Sequence, residues 1–180
     1  MGRTSVSRVL SRFAAGLLVL GTVLATEGIT PSETASAAIP SGLETELHCL
    51  ALNVYWEARS ESLDGQLAVA GVTLNRMRSE EFPNTICGVV TQGLGKRHQC
   101  QFSWWCDGKS DEPTEEGAWK LAKMVARYAL HANDRDPSQG ALFYHANYVQ
   151  PEWISKLKRV RKIGRHIFYR DPTKSRIGNS

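Results

Sequence analysis

Residues 50–59 read LALNVYWEAR. Leu43, Leu47, Leu50, Ala51, Val54 and Ala58 recur at spacings of three and four, which puts them on one face of an amphipathic helix. Ser41 and Glu44 form a Ser-x-x-Glu capping box ahead of that pattern, so the spacing predicts a helix over about 42–59. Glu57 falls in its last turn, among Tyr55, Trp56 and Ala58. The C-terminal end of a helix carries partial negative charge and disfavours a carboxylate. Apolar surroundings raise a carboxyl pKa by desolvation, which lets such a group hold a proton near neutral pH. The competing reading is a solvated Glu57 paired with Arg59 or a distant cation, the usual fate of an acidic residue.

Outward from this helix the chain alternates helical periodicity and turn signals. Ser62 caps a second helix, about 63–78, with Leu67, Ala70, Gly71, Leu74 and Met77 on one face and Ala68 and Val72 widening it. Its small residues invite another helix to approach closely, and Arg76 and Arg78 suit its C-terminal end. Thr85 to Thr91 reads as one short helix, and Gly93 to Asp111 as a long loop closed by the Asp107-Gly108 turn. Pro113 opens a helix over about 114–132 whose buried face takes Ala118, Leu121, Ala122, Val125 and Ala129, flanked by Trp119 and Tyr128. Ala141 to Ala146 is a strand or a turn-rich segment, and Trp153 anchors a short turn. Val160 to Tyr169 reads as a hairpin around Gly164, with Ile163, Ile167 and Tyr169 facing inward. The fold class is therefore α+β, mainly α, in one domain.

The 180 residues allow one compact domain plus a segment that is removed or disordered. A formal charge of +4 favours an acidic partner without choosing among nucleic acid, anionic lipid and cell-wall polymer. The first residues read as an export signal: Arg3, Arg8 and Arg12, then the uncharged apolar run Phe13 to Ala25, too short for an ordinary membrane span. Ala35-Ser36-Ala37 fits a cleavage site, giving a signal peptide 1–37 and a mature start near Ala38; cleavage after Ala25 or retention as an anchor are the alternatives. Removing 1–37 takes three basic and two acidic residues and lowers +4 to +3. Residues 38–46 are linker and helix start, 47–170 the domain, and 171–180 a frayed tail.

Cys49, Cys87, Cys100 and Cys106 make an even count in an exported chain, which implies two disulfides in one of three connectivities. Cys100 and Cys106 bracket a short loop, which favours Cys100–Cys106 with Cys49–Cys87. Zinc fits less well: there is no C-x-x-C pair, and His98 is the only histidine near the cysteines.

Two segments converge on Glu57. Gln101, Phe102, Ser103, Trp104 and Trp105 combine ring faces with amide and hydroxyl groups, a composition that suits sugars; the competing reading makes both tryptophans core. Tyr144 and His145, in the run Phe143 to Asn147, are further candidates for the same cleft, although a lone histidine is more often structural. There is no Gly-rich phosphate loop, no H-E-x-x-H and no G-x-S-x-G, and paired cysteines leave no thiol nucleophile.

The runs WEARSESLDGQLAVAGVTLNRMRSEEFPNTICGVV, QCQFSWWCDG, ALFYHANYVQPEW and IGRHIFYR together resemble the SleB-like (spore-cortex-lytic type) cell-wall hydrolase family, over about Leu47 to Arg170. The resemblance implies a lysozyme-like, lytic-transglycosylase-like fold, peptidoglycan as substrate, and a catalytic glutamate that falls on Glu57. The cysteines and the F-Y-H-A run are more similar to the exported Gram-negative branch than to the spore branch. One acid without an obvious partner fits lytic transglycosylation better than the usual two-carboxylate glycosidase; Asp64, Glu61 and Asp107 are the candidates for a second carboxylate. Glu57 would then act as acid and base, with Gln101 and Ser103 holding sugar or acetamido groups and Trp104 and Tyr144 as platforms. Lys156, Lys158, Arg159, Arg161, Lys162 and Arg165 offer a basic face to an anionic wall polymer or form a solvated hairpin face. No cofactor or metal is implied. The expected partner is a peptidoglycan strand, met by an exported, periplasmic or wall-associated monomer, with no nucleic acid and no membrane beyond the signal segment. Muramidase action by water, stem-peptide amidase action and a non-catalytic wall-binding module are the alternatives.

Overall fold

The structure is a computed structural model and describes residues 41–93, 97, 99–132 and 135–173. The signal segment, His98 and residues 174–180 of the tail lie outside the described residues, as does the Ser41 side chain and with it the capping box. Four helices, α1 (Ser41–Ala58), α2 (Leu63–Met77), α3 (Ile86–Val90) and α4 (Glu116–His131), precede three strands, β1 (Phe143–Ala146), β2 (Lys158–Ile163) and β3 (His166–Arg170). The sheet is antiparallel in the order β1-β3-β2, with Tyr144 opposite Phe168 and a register shift in β2 between Arg159 and Arg161.

α2 is the central helix. It is buried all round from Gly65 to Arg76, which is what an apolar helix without a polar stripe does. Leu67, Ala70 and Leu74 enter a core shared with Leu50, Val54 and Tyr55 of α1 and Val125 and Ala129 of α4. Ala68 and Val72 face a second cluster with Ile163 and Phe168 of the hairpin. α2 therefore joins the helical layer to the sheet. The side chain that approaches Gly71 comes from a loop, not from a helix as expected: a Cβ there would overlap the Asp136 carboxylate. Asp136 in turn accepts bonds from Asn75, Ser138 N and Gly140 N, which ties the loop before β1 onto α2.

Ser62 caps α2 and Thr85 caps α3 through side-chain oxygens, as their residue types predict. α4 starts two residues later than expected and has no side-chain cap of its own. The buried Tyr55 hydroxyl does that work by accepting from Thr114 N and Glu115 N, both at 3.1 Å. Leu121 and Tyr128, expected inward, are exposed; the buried stripe of α4 is Ala122, Val125, Ala126 and Ala129. Small residues dominate because α1 packs closely along this helix.

Both favoured disulfides are formed. Cys49–Cys87 ties α1 to α3, and Cys100–Cys106 closes the tryptophan loop. Residues 141–146 resolve as strand from Phe143. In β3 the deepest position is Phe168, with Tyr169, expected inward, and His166 also buried; Ile167, expected inward as well, is only half-buried. Phe168 faces α2, and the strand's alternation sends Ile167 to the other side.

Candidate functional site

Glu57 sits on the last turn of α1, facing an open cleft of about 470 Å³. The cleft is lined mostly by polar groups from three places: the α1 end (Trp56, Arg59), the α1–α2 connection (Ser60, Glu61), and the sheet end (Tyr148, Arg165, His166). Glu115, before α4, closes the fourth side.

The Glu57 carboxyl lies at the buried back of this cleft. Desolvation raises its pKa, partly offset by a hydrogen bond from Tyr144 and by the charge of Arg76. The Tyr144 hydroxyl donates to Glu57 Oε2 at 2.9 Å. Burial and the neighbouring Glu57 push the Tyr144 phenol well above its ordinary range, so it stays neutral and donates. Arg76 lies in the last turn of α2, as expected, and is buried there. Its Nε donates to Leu142 O at 2.7 Å, and its guanidinium lies 5.2 to 5.9 Å from the ring centres of Phe82, Phe102 and Phe143. Its Nη1 is buried with no hydrogen-bond partner, so ring faces supply much of its solvation.

The front of the cleft is ionic. Glu61 accepts from Arg165 Nε at 2.8 Å and from Arg165 N at 3.2 Å, and Arg165 Nη2 also donates to Ser60 Oγ. Burial alone would raise the Glu61 pKa, but the bonds from Arg165 outweigh it and the net shift is downward. Gly164 makes this closure possible: its φ is +53°, and a Cβ there would overlap the Glu61 carboxylate. Glu115, the other acid of the cleft, pairs with Arg59 at 2.9 Å. His166 lines the cleft with its ring edge-on to Tyr144; burial lowers its pKa, and its Nδ1 is buried without a partner. It is therefore a neutral imidazole.

The expected site residues separate. Tyr144 joins Glu57 directly. His145, on the opposite face of β1, turns away and bonds the Tyr169 hydroxyl at 2.9 Å while stacking on that ring, so its place is structural. Trp104 is buried; its indole donates to Asn53 Oδ1 at 3.3 Å and its ring stacks on Trp56. A buried ring offers no platform, and the exposed member of the pair is Trp105. Gln101 and Ser103 are exposed but do not line the Glu57 cleft. Asp64 is exposed in the first turn of α2, and Asp107 accepts from Lys109 N in its own turn. Glu61, one of the three candidates for a second carboxylate, does line the cleft, whereas His166 and Tyr148 are cleft residues that sequence reasoning did not place there. For Arg165 the signal was a basic residue beside the turn glycine.

A mainly helical domain with a desolvated glutamate at the end of a core helix, beside a three-stranded antiparallel sheet, has the lysozyme-like architecture of lytic-transglycosylase catalytic domains. It is similar to the catalytic domain of the germination-specific lytic transglycosylase SleB from Bacillus anthracis, with a TM-score of 0.59 and 34% identity over 73% of this chain and 100% of that one. It is also similar to the catalytic domain of the Bacillus cereus SleB protein, with a TM-score of 0.56, 33% identity, and 73% and 95% of the two chains covered. Residues 60–169 match the Cell Wall Hydrolase family, and the chain belongs to it. Among curated relatives, the spore cortex-lytic enzyme of Bacillus subtilis (strain 168) is 32% identical over 139 residues, 76% of this chain and 41% of that protein. That of Halalkalibacterium halodurans is 35% identical over 132 residues, 72% and 36% of the two. The chain thus spans about two fifths of the length of these relatives.

Proposed function

We propose that this domain cleaves the glycan strands of peptidoglycan at the bond between N-acetylmuramic acid and N-acetylglucosamine, by lytic transglycosylation. The observation that carries the reading is the unequal state of the carboxylates in one cleft. Among the described residues, Glu57 is desolvated and bonded only by a neutral phenol, whereas Glu61 and Glu115 are both held by arginines.

The chemistry follows from that arrangement. Tyr144 donates to Glu57 Oε2, which in this reading leaves Oε1 as the atom that carries the carboxyl proton. Glu57 gives this proton to the departing glycosidic oxygen. The substrate's N-acetyl group stabilises the positive charge that develops at the sugar carbon. The Glu57 carboxylate then takes the proton of the C6 hydroxyl, whose oxygen closes a 1,6-anhydro ring. Each turnover returns Glu57 to its protonated form. Arg76 keeps the intermediate carboxylate from becoming too strong a base, since its charge lowers the Glu57 pKa. Hydrolysis by water would ask a second carboxylate to act as base, and Glu61 is the nearest in sequence; its bonds to Arg165 oppose that role.

The reading extends to an exported monomer with a signal peptide over 1–37 and the catalytic domain over 47–170, working in the periplasm or at the wall. Among the described residues, no helix is long and apolar enough to cross a membrane. The test is mass spectrometry of muropeptides released from purified sacculi. Products lighter than the hydrolysed disaccharide by one water support transglycosylation. Products carrying the full water make the domain a muramidase, and intact glycan with freed stem peptides overturns the site.

A further inference from the structure

A second pocket of about 440 Å³ opens beside the Glu57 cleft, and the cleavage chemistry makes no use of it. Its floor is α1, one turn before the cleft: His48, Cys49 and Leu52 line it, while Trp56 and Glu57 line the cleft. Leu52 and Trp56 are four residues apart, roughly 6 Å along the helix axis. The two pockets therefore lie in series along one helix. The ridge between them is built from both sides: Trp56 stacks on Trp104 at 6.3 Å and its indole donates to Asp111 O at 3.1 Å, and Trp104 and Asp111 both line the second pocket.

The lining is mainly apolar, with a polar margin at Ser110, Asp111 and Glu112. Trp105 stands at its edge, 40% exposed, held edge-on by Trp104 at 6.0 Å. The loop carrying Trp105 is pinned by the Cys100–Cys106 disulfide and by the pairing of Gly93 with Cys100. An exposed ring on a braced loop, at the edge of an apolar pocket with hydrogen-bond acceptors on its margin, is a preformed platform for a ligand that has an apolar face and donors. A pyranose ring matches both halves, because its carbon face stacks on an indole and its hydroxyls donate to carboxylates.

We propose that this pocket is a second glycan subsite, in which Trp105 carries a sugar of the same strand that Glu57 cleaves. The inference rests on the glycan-strand reading above and deepens it: the groove is longer than the cleft, and the domain grips a polymer rather than a disaccharide.

Binding of β-1,4-linked N-acetylglucosamine dimer, tetramer and hexamer to the full chain carrying Glu57→Gln tests this, measured by titration calorimetry. The hexamer binds about tenfold more tightly than the dimer, a ratio worth about 1.4 kcal/mol. Adding Trp105→Ala removes that gain and leaves the dimer unchanged, whereas adding Trp105→Tyr keeps most of it. The proposal is overturned by a gain that survives Trp105→Ala, by no gain with length, by equal losses for dimer and hexamer, or by a free stem peptide displacing the hexamer. Because the binding is read without turnover, its failure is separate from that of the catalytic reading, which fails if Glu57→Gln still digests sacculi.

Discussion

The back and the front of the cleft each hold a glutamate, and the two are treated in opposite ways. Glu57 and Glu61 are four residues apart, yet burial raises the pKa of the first while Arg165 lowers that of the second. The back is apolar and aromatic, and among the described residues the hydrogen-bond partner of Glu57 there is a phenol that cannot neutralise charge. The front supplies a backbone N–H and a guanidinium from the residue after Gly164, whose φ of +53° favours glycine. Environment, not residue type, makes one carboxyl a proton carrier and the other a strut.

The hardest test of this contrast is Glu57→Gln. Sacculus digestion should fall by roughly 10²–10⁴-fold, the range for loss of a general acid. Stability should move the other way. The folded pKa of Glu57 is raised, so the native state binds more protons than the unfolded state above the ordinary carboxylate range. Its contribution declines as pH rises through that window, so the amide should match or exceed the wild-type melting temperature at neutral pH. A strongly destabilised variant would mean that Glu57 is a structural ion.

Tyr144→Phe should cost about tenfold in kcat/KM by freeing the carboxyl to turn. The Tyr144 bond lowers the Glu57 pKa, so its removal should move the alkaline limb of the pH profile to higher pH. A limb that moves down would show that burial does not set the Glu57 pKa.

Glu61→Gln should lower activity only a few-fold, through a loosened hairpin turn, and the melting temperature by about 2–5 °C. The folded pKa of Glu61 is lowered, so its contribution is present above the ordinary carboxylate range and is lost as pH falls through the folded value. The gap between variant and wild type should close on acidification. Gly164→Ala attacks the same closure from the other side and should cost about 1–3 kcal/mol in denaturant unfolding. If instead Glu61→Gln matched the activity loss of Glu57→Gln, the front acid would be a second catalytic group and water the attacking species.

The smallest effect belongs to the exposed outer face of β2. Lys158→Ala or Arg159→Ala should leave stability within about 0.5 kcal/mol and mainly weaken the salt dependence of sacculus binding.

Sequence reading carried the helices, the paired cysteines, the hairpin turn at Gly164 and the acid at the end of the first helix. These are local facts: a 3.6-residue period, cap residues and a helix-end charge act over a few positions. It placed Tyr144 and His145 in one cleft and did not separate them, because neighbours on a strand face opposite ways and an isolated four-residue run does not say which face is the cleft. It carried an aromatic loop but not which tryptophan is exposed; Trp104 is drawn inward by Asn53 and Trp56, residues some fifty positions away.

By itself, then, the sequence determined that this chain builds a mainly helical, disulfide-braced domain and that Glu57 is the carboxyl in an unfavourable place. Only the tertiary structure decided how unlike its neighbour that carboxyl is. The Tyr144 hydroxyl, the Arg76 charge and the Arg165 clamp all reach the two glutamates across the fold. Desolvation depends on everything packed around a group, and no stretch of sequence holds that information.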